Sequence, residues 1–218
     1  MPAIGASQII VIALFLLVAF PVHEFSHALV AYWQGDGTAK LFGRLTLNPI
    51  VHFDPLGGLF LIISALGGGF LFGWAKPTPV NTANLRDRRN GEVFVALAGP
   101  ASNLIMAAAG AIVIRVLAGA DALGPGLLAE VLILFVQFNV VLAIFNLIPI
   151  PPLDGSTLLF RFLSPRQAWQ LRPMLSQYGF IILLVFIFTI GRTILPPIIT
   201  SAIEFLIGRD VLFHVLVG

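Results

Sequence analysis

Four long apolar stretches that carry almost no charge constrain this chain more than any other feature. They cover residues 9–22, 93–117, 131–150 and 180–190. A helix needs about 20 apolar residues to cross a bilayer core of ~30 Å, and these stretches approach or reach that length. Only 10% of the residues are charged, against about 25% in soluble domains. The sequence therefore predicts an all-α polytopic membrane protein with about four to six transmembrane helices.

The composition also limits what the chain can bind. Cysteine is absent, so disulfides and thiolate ligands are excluded and a metal site must use histidine and carboxylate groups. The net charge is only +2, which is too small to indicate a nucleic-acid partner. We expect a single membrane-embedded domain over residues 1–218, with its core in residues 1–155 and C-terminal helices in residues 156–218.

Three segments have patterns that allow more than one interpretation. Residues 38–47 alternate between apolar and polar side chains, which favours short strands or a hairpin around Gly43 and Arg44. Residues 56–74 are apolar but rich in glycine, so they could span the membrane or be re-entrant. Residues 194–218 carry four ionisable side chains and predict either a short span or an amphipathic helix at the interface.

A cluster of ionisable side chains directly follows the first apolar stretch, where residues 23–27 read His-Glu-Phe-Ser-His. On a helix, His23 and His27 lie one turn apart on the same face, where two imidazoles can bind one zinc ion. Glu24 is then placed to act as general base for the attack of water on a peptide carbonyl. Because ionisable groups inside an apolar helix are costly, a functional role is favoured over a structural histidine pair.

A catalytic zinc generally has three protein ligands, so a third must come from elsewhere in the chain. Asp154 is the best candidate because it follows the predicted helix at residues 127–148. Three prolines between that helix and Asp154 break the helix, and Gly155 permits a tight bend. Irregular backbone at membrane depth is tolerated where it is buried in protein or lines a wet cavity. The alternative is a solvated aspartate at an ordinary helix exit.

Four stretches of this chain resemble the signature stretches of the site-2 protease family of intramembrane metalloproteases. They are His-Glu-Phe-Ser-His at 23–27, Asn-Pro-Ile-Val-His-Phe-Asp-Pro at 48–55, Ala-Gly-Pro-Ala-Ser-Asn at 98–103 and Asn-Leu-Ile-Pro-Ile-Pro-Pro-Leu-Asp-Gly at 146–155. The resemblance implies one zinc ion per chain, held by the two histidines and the aspartate, with the glutamate as general base.

The same resemblance implies a class of substrate, and the length of the chain limits which additional domains it can contain. It implies substrates that are transmembrane segments of other proteins, cut within the lipid bilayer in regulated intramembrane proteolysis. The 218 residues leave no room for an inserted PDZ domain or for a nucleotide-binding CBS domain. We therefore expect neither module to select substrates in this chain.

The metal ligands also constrain the topology. His23 lies toward the C-terminal end of the first helix, and Asp154 follows the C-terminal end of the helix at 127–148, so these helices must run in the same direction. The helix at 92–117 then runs the opposite way, and residues 56–74 should not cross the membrane. Most basic residues lie in connections at the zinc end, which predicts that this end is cytoplasmic. So small a chain suggests a prokaryotic plasma membrane.

Other polar residues are weaker candidates. Asn103 and Asn146 could donate to the oxyanion or to the substrate backbone, as the resemblance suggests, or they could join helices. His52 could support the metal ligands or simply be a satisfied loop histidine. The strand predicted over residues 38–47 would offer an open edge for an unwound substrate. A membrane zinc carrier, or an inactive protease-like binder of transmembrane segments, is the alternative function.

Overall fold

Every regular element is helical in the part of the chain that the computed structural model describes, residues 6–66 and 76–217. The α-helices are α1 (Ala6–Leu14), α2 (Phe20–Trp33), α3 (Thr38–Leu41), α4 (Pro49–His52), α5 (Pro55–Leu66), α6 (Arg88–Gly119), α7 (Leu127–Asn146), α8 (Gly155–Phe162), α9 (Pro165–Phe186), α10 (Arg192–Ile207) and α11 (Arg209–Val217). Two π-helical segments, Phe15–Ala19 and Ile187–Gly191, join α1 to α2 and α9 to α10. A short 3₁₀-helix covers Thr82–Asn84.

Four helical segments are long and apolar enough to cross a membrane, which confirms the predicted polytopic all-α class. They are Ile9–Trp33, Arg88–Gly119, Leu127–Asn146 and Pro165–Ile207. The shortest has 20 residues and the longest 43. At about 1.5 Å per residue even the shortest reaches ~30 Å, the thickness of the bilayer core.

Helix α6 lies at the centre of the bundle and runs antiparallel to both of its main neighbours. Along α2 and α6, the Nδ1 atom of His27 contacts the carbonyl of Val95, whereas Ala19 lies level with Asn103. Between α6 and α7, a hydrogen bond joins Asn103 to Asn139, whereas Gly110, later in α6, lies against Val136, earlier in α7. The N-terminal helix pair and α7 therefore run in the same direction, as the metal ligands required.

Small side chains let the helices of this bundle approach closely. Ala107 and Ala111 of α6 are buried in the main apolar cluster together with Val136 of α7. A Cβ atom at Gly110 would lie 2.9 Å from a methyl carbon of Val136. Such small-residue interfaces are typical of membrane helices, where van der Waals packing drives association. The position of α6 relative to α7 is therefore fixed by contacts that leave no room for a larger side chain.

The prediction of a strand or hairpin over residues 38–47 was wrong. Thr38–Leu41 forms a single helical turn instead, which ends at Gly43 with φ of 67°. The N–H of Arg44 donates to Ala39 O, and the N–H of Gly43 donates to Lys40 O. This is the Schellman pattern that closes a helix. The glycine that suggested a hairpin turn is thus a helix C-cap, and no strand edge exists here for a substrate.

The connection between α2 and α6 starts and ends at the same end of the bundle. The N–H of Arg86 donates to Gln34 O at 2.9 Å, and the Gln34 side chain donates to Gly91 O at 3.1 Å. A connection whose ends meet makes no net crossing, in agreement with the topology predicted from the ligands. Within the predicted re-entrant segment 56–74, α5 ends at Leu66, and the rest of that prediction lies outside the described residues.

The C-terminal part contains one long helix where the sequence suggested two separate elements. Residues 194–207 continue the helix that starts at Pro165, through the π-helical segment Ile187–Gly191. Gly208, with φ of 94°, then ends the helix. The Arg115 side chain of α6 donates to Phe205 O and Ile207 O, both at 3.0 Å. These bonds satisfy carbonyls at the end of α10 that lack partners within the helix.

Candidate metal centre

Two buried histidines of α2 face the centre of the bundle. His23 is 4% exposed and His27 is 7% exposed, and their rings meet edge to face with centroids 4.6 Å apart. The π-helical segment Phe15–Ala19 ends four residues before His23. Such segments occur mostly as single widened turns and are frequent at functional sites. The i, i+4 spacing of the two histidines places both imidazoles on one face of the helix, as the sequence predicted.

The tautomer of His27 follows from its hydrogen bond. Its Nδ1 atom lies 2.7 Å from Val95 O on α6. A carbonyl oxygen can only accept, so the Nδ1 of His27 carries the proton and donates it. In the neutral form of this ring, which is the form that binds a metal, the Nε2 atom carries the free lone pair. A histidine oriented in this way through its other nitrogen is the usual form of a metal ligand.

The tautomer of His23 is set by a longer chain of buried amides. The Nδ2 of Asn139 donates to Phe135 O at 2.9 Å, which orients that amide. The Oδ1 of Asn139 then accepts from the Nδ2 of Asn103 at 3.0 Å. This leaves the Oδ1 of Asn103 facing the Nδ1 of His23 at 2.6 Å, so that Nδ1 carries a proton and donates. In the neutral form of the His23 ring, the Nε2 atom therefore also carries the free lone pair.

Asp154 reaches the same point from the loop that follows α7. Close backbone contacts fix this loop: a Cβ atom at Gly155 would lie 2.2 Å from Leu147 O, and one at Gly179 of α9 would lie 2.6 Å from Pro151 O. The loop also packs through Leu153 in a small apolar cluster with residues of α9. Gly155 is thus required by close packing as well as by the bend that the sequence predicted.

The three side chains converge with distances that suit zinc. The Nε2 atoms of His23 and His27 are 3.0 Å apart, and each lies 3.3 Å from the Oδ2 of Asp154. Four ligands at about 2.0–2.1 Å from a tetrahedral zinc lie about 3.3 Å from one another. In the neutral forms of the two rings both nitrogens present lone pairs to this point, and the buried Oδ2 has no hydrogen-bond partner within the described residues. A cation between the three atoms would satisfy all of them.

Gly99 of α6 provides the space in which the two imidazoles lie. A Cβ atom at this position would stand 2.3 Å from the Nε2 of His27 and 2.6 Å from the Nε2 of His23. These are the two atoms that point at the candidate metal. Gly99 was not among the site residues predicted from the sequence, although it lies in the Ala-Gly-Pro-Ala-Ser-Asn stretch that carries the resemblance.

Glu24 is buried beside the histidines and is held by a residue that the sequence analysis missed. Both the backbone N–H and the hydroxyl of Thr78 donate to its Oε2 atom, at 3.1 and 2.7 Å. The hydroxyl also lies 3.2 Å from the backbone carbonyl of Glu24. Thr78 stands 54 residues away, between two prolines in a stretch without periodicity. Only its position among prolines beside a membrane segment could have drawn attention to it.

The weaker candidates lie in different places. Asn103 is fully buried, and its amide nitrogen is directed at Asn139 and at Ala19 O. Asn103 therefore lies on the Nδ1 side of His23, away from the candidate metal. Asn146 donates to Leu142 O in its own helix at 2.9 Å. His52 is fully buried, and its Nε2 donates to Thr46 O at 2.9 Å. Neither of the last two makes a hydrogen bond or an ion pair with a candidate metal ligand in the described part of the chain.

Comparisons with known proteins identify a family of metallopeptidases. The family model of peptidase family M50 matches residues 9–124 and 115–189. A Bacillus subtilis (strain 168) protein named "Putative zinc metalloprotease YwhC" is 39% identical over 203 residues, which are 89% of this chain and 85% of that protein. No solved structure matches.

Two mycobacterial proteins with the name "Putative zinc metalloprotease Rip2" are also similar. The one from Mycolicibacterium smegmatis is 35% identical over 79% of this chain and 64% of its own length. The one from Mycobacterium tuberculosis (strain H37Rv) is 36% identical over 78% of this chain and 63% of its own length. This chain therefore spans slightly less than two thirds of the Rip2 proteins and most of the Bacillus protein.

Proposed function

Since this chain belongs to peptidase family M50, we propose that it is a zinc metalloprotease that cuts transmembrane segments of other proteins within the lipid bilayer. The observation that carries this proposal is the convergence of His23, His27 and Asp154 inside a bundle of span-length helices. The buried carboxylate of Glu24 lies next to them in the sequence. A metal site with an adjacent base, placed at membrane depth, suits hydrolysis of a bond that is itself in the membrane.

Each residue of the centre has a role in this proposal. His23, His27 and Asp154 would hold one zinc ion per chain, and zinc when bound supplies a Lewis acid that polarises the scissile carbonyl. Glu24 takes a proton from the attacking water and passes it to the nitrogen of the leaving amine. The water oxygen bonds to the carbonyl carbon as the C–N bond breaks, so one water is consumed for each peptide bond.

Buried hydrogen bonds keep the ligands ready for this reaction. Val95 O and the Asn103 side chain hold the protons of the two Nδ1 atoms, so both Nε2 lone pairs face the metal without a change of tautomer. Partners of this kind orient the ring and raise the basicity of the ligand. We assign Asn103 this supporting role, since its amide nitrogen already donates to other protein groups.

The substrate must change conformation to reach the centre. The carbonyls of a transmembrane helix are shielded by their own hydrogen bonds, so a segment must unwind before water can attack. Residues 38–47 offer no strand to which an unwound substrate could add, because that segment forms a helical turn. We propose cleavage in regulated proteolysis, in which an earlier event makes the segment available.

The orientation of the chain follows from its basic residues. Nine of the twelve lysines and arginines lie in the connections at the metal end of the bundle or in the first turns of the long helices that follow them: Lys40, Arg44, Lys76, Arg86, Arg88, Arg89, Arg161, Arg166 and Arg172. The rule that basic loops stay inside supports a metal centre nearer the cytoplasmic face. We propose the plasma membrane of a prokaryote as its location, since the similar proteins are bacterial.

A comparison of three proteins tests the function. Wild type, Glu24→Gln and the control Glu130→Gln would be purified in detergent, assayed for zinc per chain and incubated with a panel of single-span substrates. Glu130 lies exposed in the first turn of α7, away from the centre. We expect near-stoichiometric zinc in all three, and cleavage inside the span by wild type and the control only. Removal of zinc with a chelator should stop cleavage, and added zinc should restore it.

Other outcomes would overturn the proposal. Cleavage by Glu24→Gln at the wild-type rate would remove Glu24 from the mechanism. Zinc binding without cleavage by any of the three proteins would instead favour a zinc carrier or an inactive binder, which zinc flux in liposomes would separate. The carrier has no need of Glu24, so Glu24→Gln should still transport zinc if that alternative is correct.

A further inference from the structure

One residue outside the membrane-spanning helices controls how the Glu24 carboxylate is presented. Thr78 directs its backbone N–H and its hydroxyl at the same oxygen, Oε2. Its hydroxyl has a single proton, and the shorter of its two contacts with Glu24, 2.7 Å, is the one to the carboxylate. Hydrogen bonds to an ionised acceptor are stronger than neutral ones. Thr78 therefore fixes the position of the glutamate side chain.

The two hydrogen bonds make the carboxylate asymmetric. Both fall on Oε2, whereas Oε1 has no hydrogen-bond donor among the described residues. Lone pairs that already accept hydrogen bonds are less available to a proton, so Oε1 is the oxygen left to accept one from water. A general base must hold its accepting atom within hydrogen-bond reach of the proton that it abstracts. The contacts of Thr78 meet this requirement by fixing both the position and the rotation of the carboxylate.

Thr78 is itself held by a segment that is anchored along its length. We call residues 76–86 the strap. Its first residue, Lys76, donates its N–H to His52 O at 3.1 Å. Further along, the buried carboxylate of Asp36 accepts from Asn81 N at 2.7 Å and from the side chain of Asn84 at 3.0 Å. The bond of Lys76 ties the strap to α4. The bonds of Asp36 tie it to the loop after α2, the helix that carries Glu24.

The residues on either side of Thr78 restrict it further. Pro77 and Pro79 fix their own φ angles, and each proline also limits the residue before it. Neither proline has an N–H, so Thr78 is the residue of this triplet that can donate from its backbone. Val80 packs beside Ala31 and Leu85 in a small buried cluster at the end of α2. The donor groups of Thr78 are thus preorganised before any substrate arrives.

We propose that Thr78 is a positioning residue for the general base, and that the strap is the element which places it. This inference rests on the proposed function only in one respect, which is that Glu24 acts as a general base. The contact between Thr78 and Glu24 stands whether or not the chain cuts peptides. Among the described residues, the side-chain hydrogen bonds of Thr78 go to Glu24 and not to the candidate metal ligands, so its proposed effect passes through Glu24.

Three variants separate positioning from a structural role. Thr78→Val keeps the shape of the side chain but removes the hydroxyl, whereas Thr78→Ser keeps the hydroxyl. Thr82→Val is the matched control, because Thr82 lies in the same strap and its side chain makes no hydrogen bond among the described residues. A misplacement of about 1 Å can cost about 100-fold in rate. We therefore expect Thr78→Val to lower kcat by roughly 10–100-fold with KM nearly unchanged.

The controls of the same experiment define the result further. Zinc per chain and the thermal unfolding temperature should stay at wild-type values in all three variants. Thr78→Ser should recover most of the lost kcat, and Thr82→Val should match wild type. Wild-type kcat in Thr78→Val would overturn the proposal. So would a loss of kcat that is accompanied by loss of zinc or of thermal stability, since Thr78 would then be a structural residue.

An infrared measurement tests the contact without any substrate. The chain has four glutamates, so ¹³C-labelled glutamate gives few carboxylate bands, and Glu24→Gln identifies the band of Glu24 by its disappearance. We expect this band to shift in Thr78→Val and to stay in place in Thr82→Val, in both metal-free and zinc-loaded protein. An unshifted band in Thr78→Val would overturn the inference. If the wild type does not cut any substrate but the band shifts, the proposed function fails while the positioning contact stands.

Discussion

The metal centre and the described part of the connection between α2 and α6, residues 34–66 and 76–87, are fixed by different kinds of interaction. The histidines of the centre lie on a regular helix, and their i, i+4 spacing brings them together before any tertiary contact forms. The connection contains short helices whose positions depend on single side chains such as Arg44, which donates to Val51 O, and Asp36. Periodic sequence therefore encodes the first region directly, whereas the second depends on pairings between distant residues.

This difference has a functional meaning because the two regions meet at Glu24. Helix α2 supplies the carboxylate, and the connection supplies Thr78, which holds it. The three candidate metal ligands lie outside the connection, whereas the residue that holds Glu24 lies inside it. We expect substitutions in the helices to change zinc binding, and substitutions in the connection to change stability or catalysis while zinc remains bound.

The largest expected effect comes from filling the space at Gly99. In Gly99→Ala the new methyl group would stand 2.3 Å from the Nε2 of His27, whose ring is held by Val95 O and cannot easily turn away. We expect zinc per chain to fall close to zero and cleavage to drop by about 100-fold or more. Gly119→Ala in the same helix is the control, since nothing lies within 4 Å of its Cβ position. Stoichiometric zinc in purified Gly99→Ala would contradict the observed geometry.

A smaller effect on the metal centre should follow from Asn103→Leu. This change removes the acceptor for the Nδ1 proton of His23, which lies 2.6 Å from Asn103 Oδ1. Loss of such a partner typically weakens metal binding by about 10–100-fold, and competition with a chelator would measure it. Asn146→Leu is the comparison, because that amide bonds within its own helix. If Asn146→Leu weakens zinc binding equally, the assignment of the supporting role to Asn103 is wrong.

In the connection, Asp36→Asn should lower stability without releasing zinc. Burial opposes ionisation of Asp36, but hydrogen bonds from Thr38 and Asn84 outweigh it, so its pKa lies below the ordinary value of 3.8. A lowered pKa in the folded state gives stability that is present above pH 3.8 and is lost as the pH falls further. We expect Asp36→Asn to cost about 1–3 kcal/mol at neutral pH and to reduce the loss of stability in acid.

Thermal unfolding in detergent at pH 7 and at pH 3.5 would measure both parts of this prediction. Asp121→Asn is a suitable control, because Asp121 is exposed and asparagine tolerates its positive φ of 50°. The prediction fails if Asp36→Asn unfolds at the wild-type temperature at neutral pH. Zinc per chain should remain unchanged in both variants.

The smallest expected effect concerns the end of α3. Gly43 has φ of 67°, a conformation that other residues adopt at a cost, so Gly43→Ala should destabilise the protein by about 1 kcal/mol. Gly37, six residues earlier, has φ of −83° and nothing within 4 Å of its Cβ position. We expect Gly37→Ala to change stability by less than about 0.5 kcal/mol. Equal effects on the midpoint of chemical unfolding would remove this distinction.

Much of this protein follows from its sequence alone. Long apolar stretches predicted the spanning helices, since lipid offers no partner for backbone groups that a helix does not satisfy. The spacing of His23 and His27 placed two candidate ligands on one face, and the prolines before Asp154 marked the loop that brings the third. The directions of α2, α6 and α7 also followed, because candidate ligands at the C-terminal ends of α2 and α7 can meet only if these two helices run in the same direction.

The tertiary structure decided what depends on pairings that carry no local pattern. Residues 38–47 alternate in a way that favours strands, but the Schellman closure at Gly43 and the hydrogen bonds of Asp36 produce a helical turn. The contact between Thr78 and Glu24 joins residues 54 positions apart, and no periodicity connects them. Helices form from contacts within a few residues and can be read from the sequence. The position of the Glu24 carboxylate depends on which distant donor reaches it, and only the folded chain shows that this donor is Thr78.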